Sequence, residues 1–204
     1  MREKPFVKEG SQPSKEWLPL MRGSLMNRYV NFWKNDYWIL YGDWLAAPRQ
    51  PEIFQAPEKI IVRQTGDTII ATIIEKNIIC RDNLHICIPH TKISIEYVLG
   101  LLNSKLMNFI YSFINPERGE ALAQVKKGHV EQLPILQTEN EQPLIDMVSA
   151  VLEAKNNNVN SDTQSLEKDI DLTVYHLYGL TYDEVLIVDP ETPITREEYE
   201  TFNK

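Results

Sequence analysis

Residues 94–114, SIEYVLGLLNSKLMNFIYSFI, are the stretch that decides the fold. The large apolar residues recur every three or four positions, at Val98, Leu102, Leu106, Phe109 and Phe113. This is the spacing of one face of an α-helix. Ser94 can act as the N-cap, and Glu96 places an acid in the first turn, where the helix dipole favours it. The stretch therefore predicts one long core helix that ends near Asn115.

Short apolar runs precede this helix and predict strands. They read KIIVR (59–63), IIATII (69–74), IIC (78–80) and LHICI (84–88). Turn signals separate them: Thr65-Gly-Asp67, Lys76-Asn77 and Asp82-Asn83. Strands this short, punctuated every few residues, are typical of a small twisted antiparallel sheet.

Helical patterns follow the predicted core helix. An apolar stripe begins at Leu144, an Asn-rich linker covers residues 156–160, and Ser161 with Gln164 has the pattern of a capping box. Gly179 is a helix stop, and short helices are predicted after the caps Thr181 and Thr195. The overall prediction is an α+β fold with a C-terminal helical hairpin. Its parts are a polar lead-in (1–16), a central domain (17–135) and an acidic helical segment (136–204).

Composition excludes several function classes. The chain has 204 residues and eight glycines, and no two glycines have the spacing of a dinucleotide or S-adenosylmethionine loop or of a P-loop. No apolar run is long enough to span a bilayer, and no secretory signal follows Met1. Two cysteines cannot form a disulfide framework, which favours a reduced, cytoplasmic setting.

Charge divides the chain into two unlike parts. Residues 1–134 carry 17 Lys and Arg against 14 Asp and Glu, a net charge of +3. Residues 135–204 carry 4 against 15, a net charge of −11. The first part can face a polyanion, whereas the second would be repelled by one. We therefore expect the acidic part to pack against the basic part or against another module.

Several segments, taken in order, resemble one family. They are LPLMRG (18–23), PEKIIVRQTGD (57–67), YVLGLLNSKL (97–106) and QVKKGH (124–129) before LPI (133–135). Together they are similar to the TaqI-like C-terminal specificity domain of adenine-specific DNA methyltransferases and restriction–modification enzymes. The tail IDLTVYHLYGLTYDE (170–184) resembles the segment that closes such proteins.

The resemblance implies a domain that selects a sequence in double-stranded DNA and carries out no bond chemistry. The family's methyltransferase module carries the S-adenosylmethionine loop and an Asn-Pro-Pro-aromatic motif for a flipped adenine. Neither motif occurs here, so we assign no catalytic residue and no cofactor to this chain. We expect the cofactor, and any nuclease, to belong to another module of a larger parent enzyme, which would be a partner of this domain together with DNA.

Sequence-specific binding of duplex DNA needs cations for phosphates and forked side chains for base edges. Loops of the basic part supply both. The candidate contact residues are Arg22, Lys59, Arg63, Gln64, Thr65, Gly66, Arg118, Lys126 and Lys127. A simpler interpretation remains open for the 63–67 segment, namely a hairpin turn in which Arg63 pairs with Asp67.

Other patterns leave alternatives open. Cys80, His85, Cys87 and His90 suggest zinc, but their spacing matches no usual zinc motif, so ordinary packing is favoured and no metal site is assigned. The aromatic residues between 29 and 44 are expected in the core rather than stacked on bases. A different function is a protein–protein interaction module that uses the acidic helical tail without touching DNA.

Overall fold

The computed structural model describes residues 6–89 and 92–202. In this part of the chain the strands form three sheets. The strands are β1 (Val7–Glu9), β2 (Trp17–Met21), β3 (Met26–Asn27), β4 (Val30–Asn31), β5 (Tyr37–Leu40), β6 (Glu58–Arg63), β7 (Ala71–Glu75), β8 (Ile79–Cys80) and β9 (Leu84–Cys87). Their orders are β1-β5-β2-β8, β3-β4 and β7-β6-β9. All pairs are antiparallel except β2 with β8, which is parallel.

The helices follow the strands, as the sequence predicts. They are α1 (Ile95–Asn103), α2 (Lys105–Ile114), α3 (Lys127–Val130), α4 (Gln142–Asn157), α5 (Gln164–Leu177), α6 (Tyr182–Val188) and α7 (Arg196–Thr201). Helices α4 and α5 pack on each other and form the predicted hairpin. The α+β class is confirmed. In the described part of the chain, no helix has the length and apolar character needed to cross a membrane.

Strand β6 joins two hydrophobic cores. Because side chains alternate across a strand, Ile60 and Val62 lie in the core shared with helices α1, α2, α4 and α5. Ile61, between them, lies in a second core formed with strands β2, β5, β7 and β8. All three side chains are buried. The position at which β6 ends, Arg63, is therefore fixed from both faces.

The predicted long core helix is wrong in one respect, because it is broken at Ser104. Helix α1 ends at Asn103 and α2 begins at Lys105, with Ser104 extended between them. The Ser104 side chain caps α2 by accepting from the Met107 N–H. Serine competes for backbone hydrogen bonds in this way and so favours helix starts. The apolar spacing continues across the break, which conceals it in the sequence.

Asn103 ties the break to the sheet. Its Oδ1 accepts from the Ala71 N–H and its Nδ2 donates to the Ala71 carbonyl, both at 3.0 Å. One turn later, Asn108 Oδ1 accepts from the Ile69 N–H at 2.7 Å. Asn103 and Ala71 are buried. The two side chains thus satisfy main-chain groups at the start of β7 that have no strand partner on that side.

The acidic tail packs onto the basic part, which confirms that expectation. A Cβ at Gly100 of α1 would lie 2.8 Å from Val148 Cγ2 of α4, so only glycine permits this approach. Asp171 of α5 accepts from the Lys105 N–H at 2.9 Å, at the first turn of α2. The Lys105 ammonium also pairs with Asp189 at 2.5 Å. One core contains residues of both parts.

Local signals in the tail are mostly confirmed. Gly179 has a φ of 70° at the end of α5, and the capping boxes that start at Thr181 and Thr195 both form. The predicted capping box at Ser161 is wrong, because α5 begins after Thr163 and the Ser161 hydroxyl donates to the Ala154 carbonyl. The predicted lead-in is also partly structured, since its described residues include strand β1.

We expect Asn103→Ala to destabilise the fold by about 2 kcal/mol, because the Ala71 N–H would be left buried without a partner. The Ala71 carbonyl would lose one of its two donors and keep the Tyr29 N–H. Urea unfolding followed by circular dichroism measures this. The control is Asn157→Ala at the exposed end of α4, which should change the free energy of unfolding by less than about 0.5 kcal/mol. Equal effects of the two substitutions would contradict the role given to Asn103.

Asp171 should make stability depend on pH. Burial raises the pKa of its carboxyl to about 6, although the Lys105 N–H opposes the shift. The folded state then holds the proton more tightly than the unfolded state, whose pKa is about 3.9. The carboxylate therefore destabilises the fold increasingly as pH rises from about 4 to 6, by on the order of 2–3 kcal/mol above that range.

Asp171→Asn keeps an oxygen acceptor for the Lys105 N–H and removes the charge. We expect its unfolding free energy, relative to the native chain, to rise between pH 4 and pH 6 and to stay constant above. Urea titrations across that range test this, with Asp169→Asn, half-buried on the same helix, as the control. A difference that does not vary with pH would contradict the assignment.

Candidate nucleic-acid interface

The segment after β6 is a turn held by main-chain hydrogen bonds. The Gln64 N–H donates to the Asn83 carbonyl at 3.0 Å, and the Gly66 N–H donates to the Ala123 carbonyl at 3.0 Å. Gly66 has a φ of 112°, a conformation that side chains disfavour. Glycine is needed here for the turn itself. Because its N–H is already used, it does not offer a free donor to a phosphate.

Arg63 and Asp67 do not pair with each other among the described residues. Arg63 Nε donates to the Thr65 carbonyl at 3.1 Å, whereas Asp67 Oδ2 accepts from the Gly119 N–H at 3.1 Å. The segment does connect β6 to β7 as an antiparallel hairpin, but the Arg63–Asp67 pair of the simpler interpretation is wrong. Asp67 instead connects this turn to the loop that follows α2.

That loop runs beside the turn and forms a short ribbon with it. The Val125 N–H donates to the Gln64 carbonyl at 2.7 Å, and Thr65 forms an isolated β-bridge with Gln124. We call residues 64–66 and 122–126 the ribbon. Residues 65–67 and 119–124 line an open cavity of about 410 Å³. Two segments far apart in sequence thus make one surface.

Exposure alternates along the second strand of the ribbon. Ala123 and Val125 are buried, whereas the side chains between and around them are exposed: Leu122, Gln124 and Lys126. Opposite Gln124, the Gln64 side chain donates from Nε2 to Gln124 Oε1 at 3.3 Å. The ribbon therefore presents an apolar group, a carboxamide and a cation on one face.

Acidic side chains accompany the cations here. Lys126 Nζ lies 2.5 Å from Glu117 Oε1, and the other oxygen of Glu117 accepts from the Gln124 N–H at 2.9 Å. The hydrogen bond from Lys126 lowers the pKa of Glu117, and Glu117 in turn raises the pKa of Lys126. Lys127 pairs with Glu131 at 3.5 Å.

The two other candidate arginines lie on neighbouring segments. Met21 accepts the Arg81 N–H just before Arg22, and a Cβ at Gly23 would be 3.3 Å from Arg63 Cγ, so Arg63 lies over that segment. The Arg22 guanidinium itself rests on the Tyr37 ring at 4.3 Å. Arg118 donates to the Ser112 hydroxyl at 3.2 Å, next to the loop residue held by Asp67.

Lys59 is not a surface residue, and its place among the candidates is wrong. It is fully buried, and its ammonium donates to the carbonyls of Glu75, at 2.6 Å, and Phe54, at 3.3 Å. Burial lowers its pKa. It closes the far end of the β6–β7 pair and cannot reach DNA.

The described residues of two further patterns, the cysteine–histidine set and the aromatic residues, can be located in the structure. Among the described residues, no group of three His, Cys, Asp or Glu side chains could hold a metal ion; His90 lies outside them. His85 Nε2 lies 2.6 Å from the Val125 carbonyl, behind the ribbon. Tyr29, Tyr37 and Trp38 are buried as expected, although Trp44 is 54% exposed.

Residues 18–135 match the sequence profile of the TaqI-like C-terminal specificity domain, and the match covers more than half of the chain. This chain belongs to that family. The resemblance that the sequence motifs suggested is thereby confirmed. The matched region contains the whole ribbon and ends before the acidic tail.

A solved structure has a fold similar to that of this TaqI-like specificity domain. It is the type IIL restriction–modification enzyme MmeI in complex with DNA, with a TM-score of 0.59 over 98% of this chain and 13% sequence identity. At that identity the likeness shows a shared fold. This chain spans 36% of the length of the MmeI chain. No curated protein matches the present chain.

Sequence reasoning missed three residues of this specificity domain's candidate interface. Gln124 lies in a family motif but was not among the candidates, and Leu122 and Glu117 lie in a loop that showed no pattern. Only contact with Gln64 and Thr65, some sixty positions away, brings them to the ribbon. The one available signal was that Glu117 and Lys126, nine positions apart in the sequence, carry opposite charges.

Proposed function

We propose that this specificity domain selects a sequence in double-stranded DNA as the target-recognition part of a restriction–modification enzyme. The observation that carries the proposal is the ribbon, in which Gln64, Thr65, Gln124 and Lys126 meet on an exposed surface of a specificity-domain fold. Polar forked groups beside a cation are what sequence-selective binding requires. That MmeI was solved with DNA agrees with this function.

The mechanism follows from the size and chemistry of the ribbon. A two-stranded ribbon fits the major groove of B-form DNA, where each base pair shows a distinct set of donors and acceptors. Lys126 and Lys127 would hold phosphates and set the register, and Arg22, Arg63 and Arg118 lie on adjoining segments. The carboxamides would meet base edges. Because both lysines already have acidic partners, binding by this chain should be weak and strongly salt-dependent.

We further propose that the bond chemistry belongs to another module of the parent enzyme. That module would bind S-adenosylmethionine and methylate adenine, and a nuclease would accompany it in a fused enzyme. This domain would contribute the choice of site. The alternative function, an interaction module that uses the acidic tail, predicts no association of the native chain with DNA even at low salt.

Lys126→Ala combined with Lys127→Ala should weaken binding to random duplex DNA and reduce the slope of log K against log salt concentration by about 2. Gel shifts or fluorescence anisotropy over a salt series measure both quantities. The control is Lys76→Ala, in the turn at the opposite end of the β6–β7 pair. It should leave the slope unchanged, and equal slopes for all three proteins would contradict the proposed surface.

Glu117→Gln should strengthen binding to random duplex DNA several-fold, roughly 3- to 10-fold at low salt, because it frees Lys126 and removes a charge that repels phosphates. Glutamine retains an acceptor for the Gln124 N–H. The same anisotropy assay applies, with the exposed Glu58→Gln at the far end of β6 as the control. An unchanged or weaker affinity for Glu117→Gln would count against phosphate binding at this place.

A further inference from the structure

The exposed side chains of residues 122–126 change in chemical character along the chain. Leu122 is 88% exposed, although hydrogen bonds anchor the loop beside it. The Asp67 carboxylate accepts from the Gly119 N–H, and the Gly66 N–H donates to the Ala123 carbonyl. Gln124 and Lys126 follow at every second position. Gln124 and Lys126 lie two positions apart on an extended segment, about 6.6 Å, close to two base-pair steps of about 3.4 Å, and Leu122 lies in the turn just before it. The order along the strand is therefore apolar, carboxamide, cation.

The acidic side chains nearby indicate which end of residues 122–126 would face the phosphates and which end would face the bases. Asp67 and Glu120 line the same cavity as Leu122, and their carboxylates would be repelled by phosphates. At the other end, Lys126 is the group that phosphates attract. Glu117 also lies at this end, but Lys126 offsets its charge. With Lys126 toward the phosphates, Gln124 would face the base edges and Leu122 would lie deeper in the groove.

The Gln124 carboxamide is held in one orientation. Gln64 Nε2 donates to Gln124 Oε1 at 3.3 Å, and the Gln124 main chain is fixed because its N–H donates to Glu117. A carbonyl oxygen has two lone pairs, so Gln124 Oε1 can accept one more hydrogen bond while its amide nitrogen donates another. That pair of bonds matches N6 and N7 of adenine in the major groove.

We propose that Gln124 and Leu122 are specificity-determining residues that read A·T base pairs. Gln124 pairs with the major-groove edge of an adenine, Leu122 packs on a thymine methyl group, and Gln64 is a positioning residue that orients the Gln124 carboxamide. The inference rests on the proposed DNA-binding function and adds the chemical class of the bases that this surface selects.

The test begins with selection of duplexes from a random-sequence library by the 204-residue chain. In the selected duplex, each base pair is then changed in turn, and affinity is measured for the native chain, Gln124→Ala, Gln64→Ala, Leu122→Ala and Lys126→Ala. We expect one A·T pair whose replacement by G·C weakens the native chain at least about tenfold. Gln124→Ala should lose that preference alone, and Gln64→Ala should reduce it.

Leu122 is tested by replacing thymine with deoxyuridine, which removes the methyl group and keeps the hydrogen-bonding edge. The native chain should lose affinity several-fold at one position, and Leu122→Ala should lose none there. Lys126→Ala is the matched control, since loss of a phosphate contact weakens all sequences alike. Leu122, Gln124 and Lys126 are exposed and Gln64 is half-buried. Unchanged thermal unfolding midpoints verify that every variant is folded.

The outcomes separate this inference from the function on which it rests. If the native chain binds no DNA at low salt, both are overturned. If it binds with a salt slope that Lys126→Ala reduces and prefers certain base pairs, but keeps those preferences in Gln124→Ala and Leu122→Ala, only the inference is overturned. If it binds with no base preference at all, the proposed selection of a DNA sequence is overturned as well. A Gln124-dependent preference for a G·C pair would overturn the assignment to A·T.

Discussion

The break between α1 and α2 is the constraint on which the rest of the structure depends. At this point Asn103 binds both main-chain groups of Ala71, and Asp171 accepts the first N–H of α2. A strand, two core helices and the acidic tail therefore meet through buried polar groups. Such groups stabilise a fold only in one arrangement, because each would be costly to bury without its partner.

This junction also determines where the ribbon lies. Strand β7 is held to the helices at Ala71, and β6 is held to β7 in a fixed register. Because β6 contributes to both cores, it cannot slide or rotate without moving buried side chains out of one of them. Its end at Arg63 is thus rigid, and the turn that follows is displayed from a scaffold, as is usual for binding loops.

The sequence predicts elements well where the signal is local. The strands β6 and β7, the stop at Gly179 and the two capping boxes that start at Thr181 and Thr195 depend on residues within a few positions of one another. The break at Ser104 is not predicted, because the apolar spacing continues through it and the Asn103–Ala71 hydrogen bonds beside it join residues 32 positions apart. The prediction that Lys59 contacts DNA is wrong for a similar reason, since the carbonyl groups that bind its ammonium are brought to it by the strand pairing.

The candidate site shows the same division. Arg63, Gln64 and Thr65 are predicted from a turn signal in the sequence. Gln124 becomes a candidate only because the structure places it in contact with Gln64.

The acidic residues around the ribbon affect general affinity for DNA separately from selection among base sequences. Glu117 holds Lys126 and Glu131 holds Lys127, so each lysine has a partner before any phosphate arrives. If the ribbon enters the groove as proposed, a phosphate contact replaces an ion pair rather than adding one. The free-energy gain from each phosphate contact is then reduced by the loss of that ion pair on every sequence alike, so base-edge contacts contribute a larger share of the difference between sequences. Non-specific sites vastly outnumber target sites, so weak general attraction favours a domain whose task is to choose.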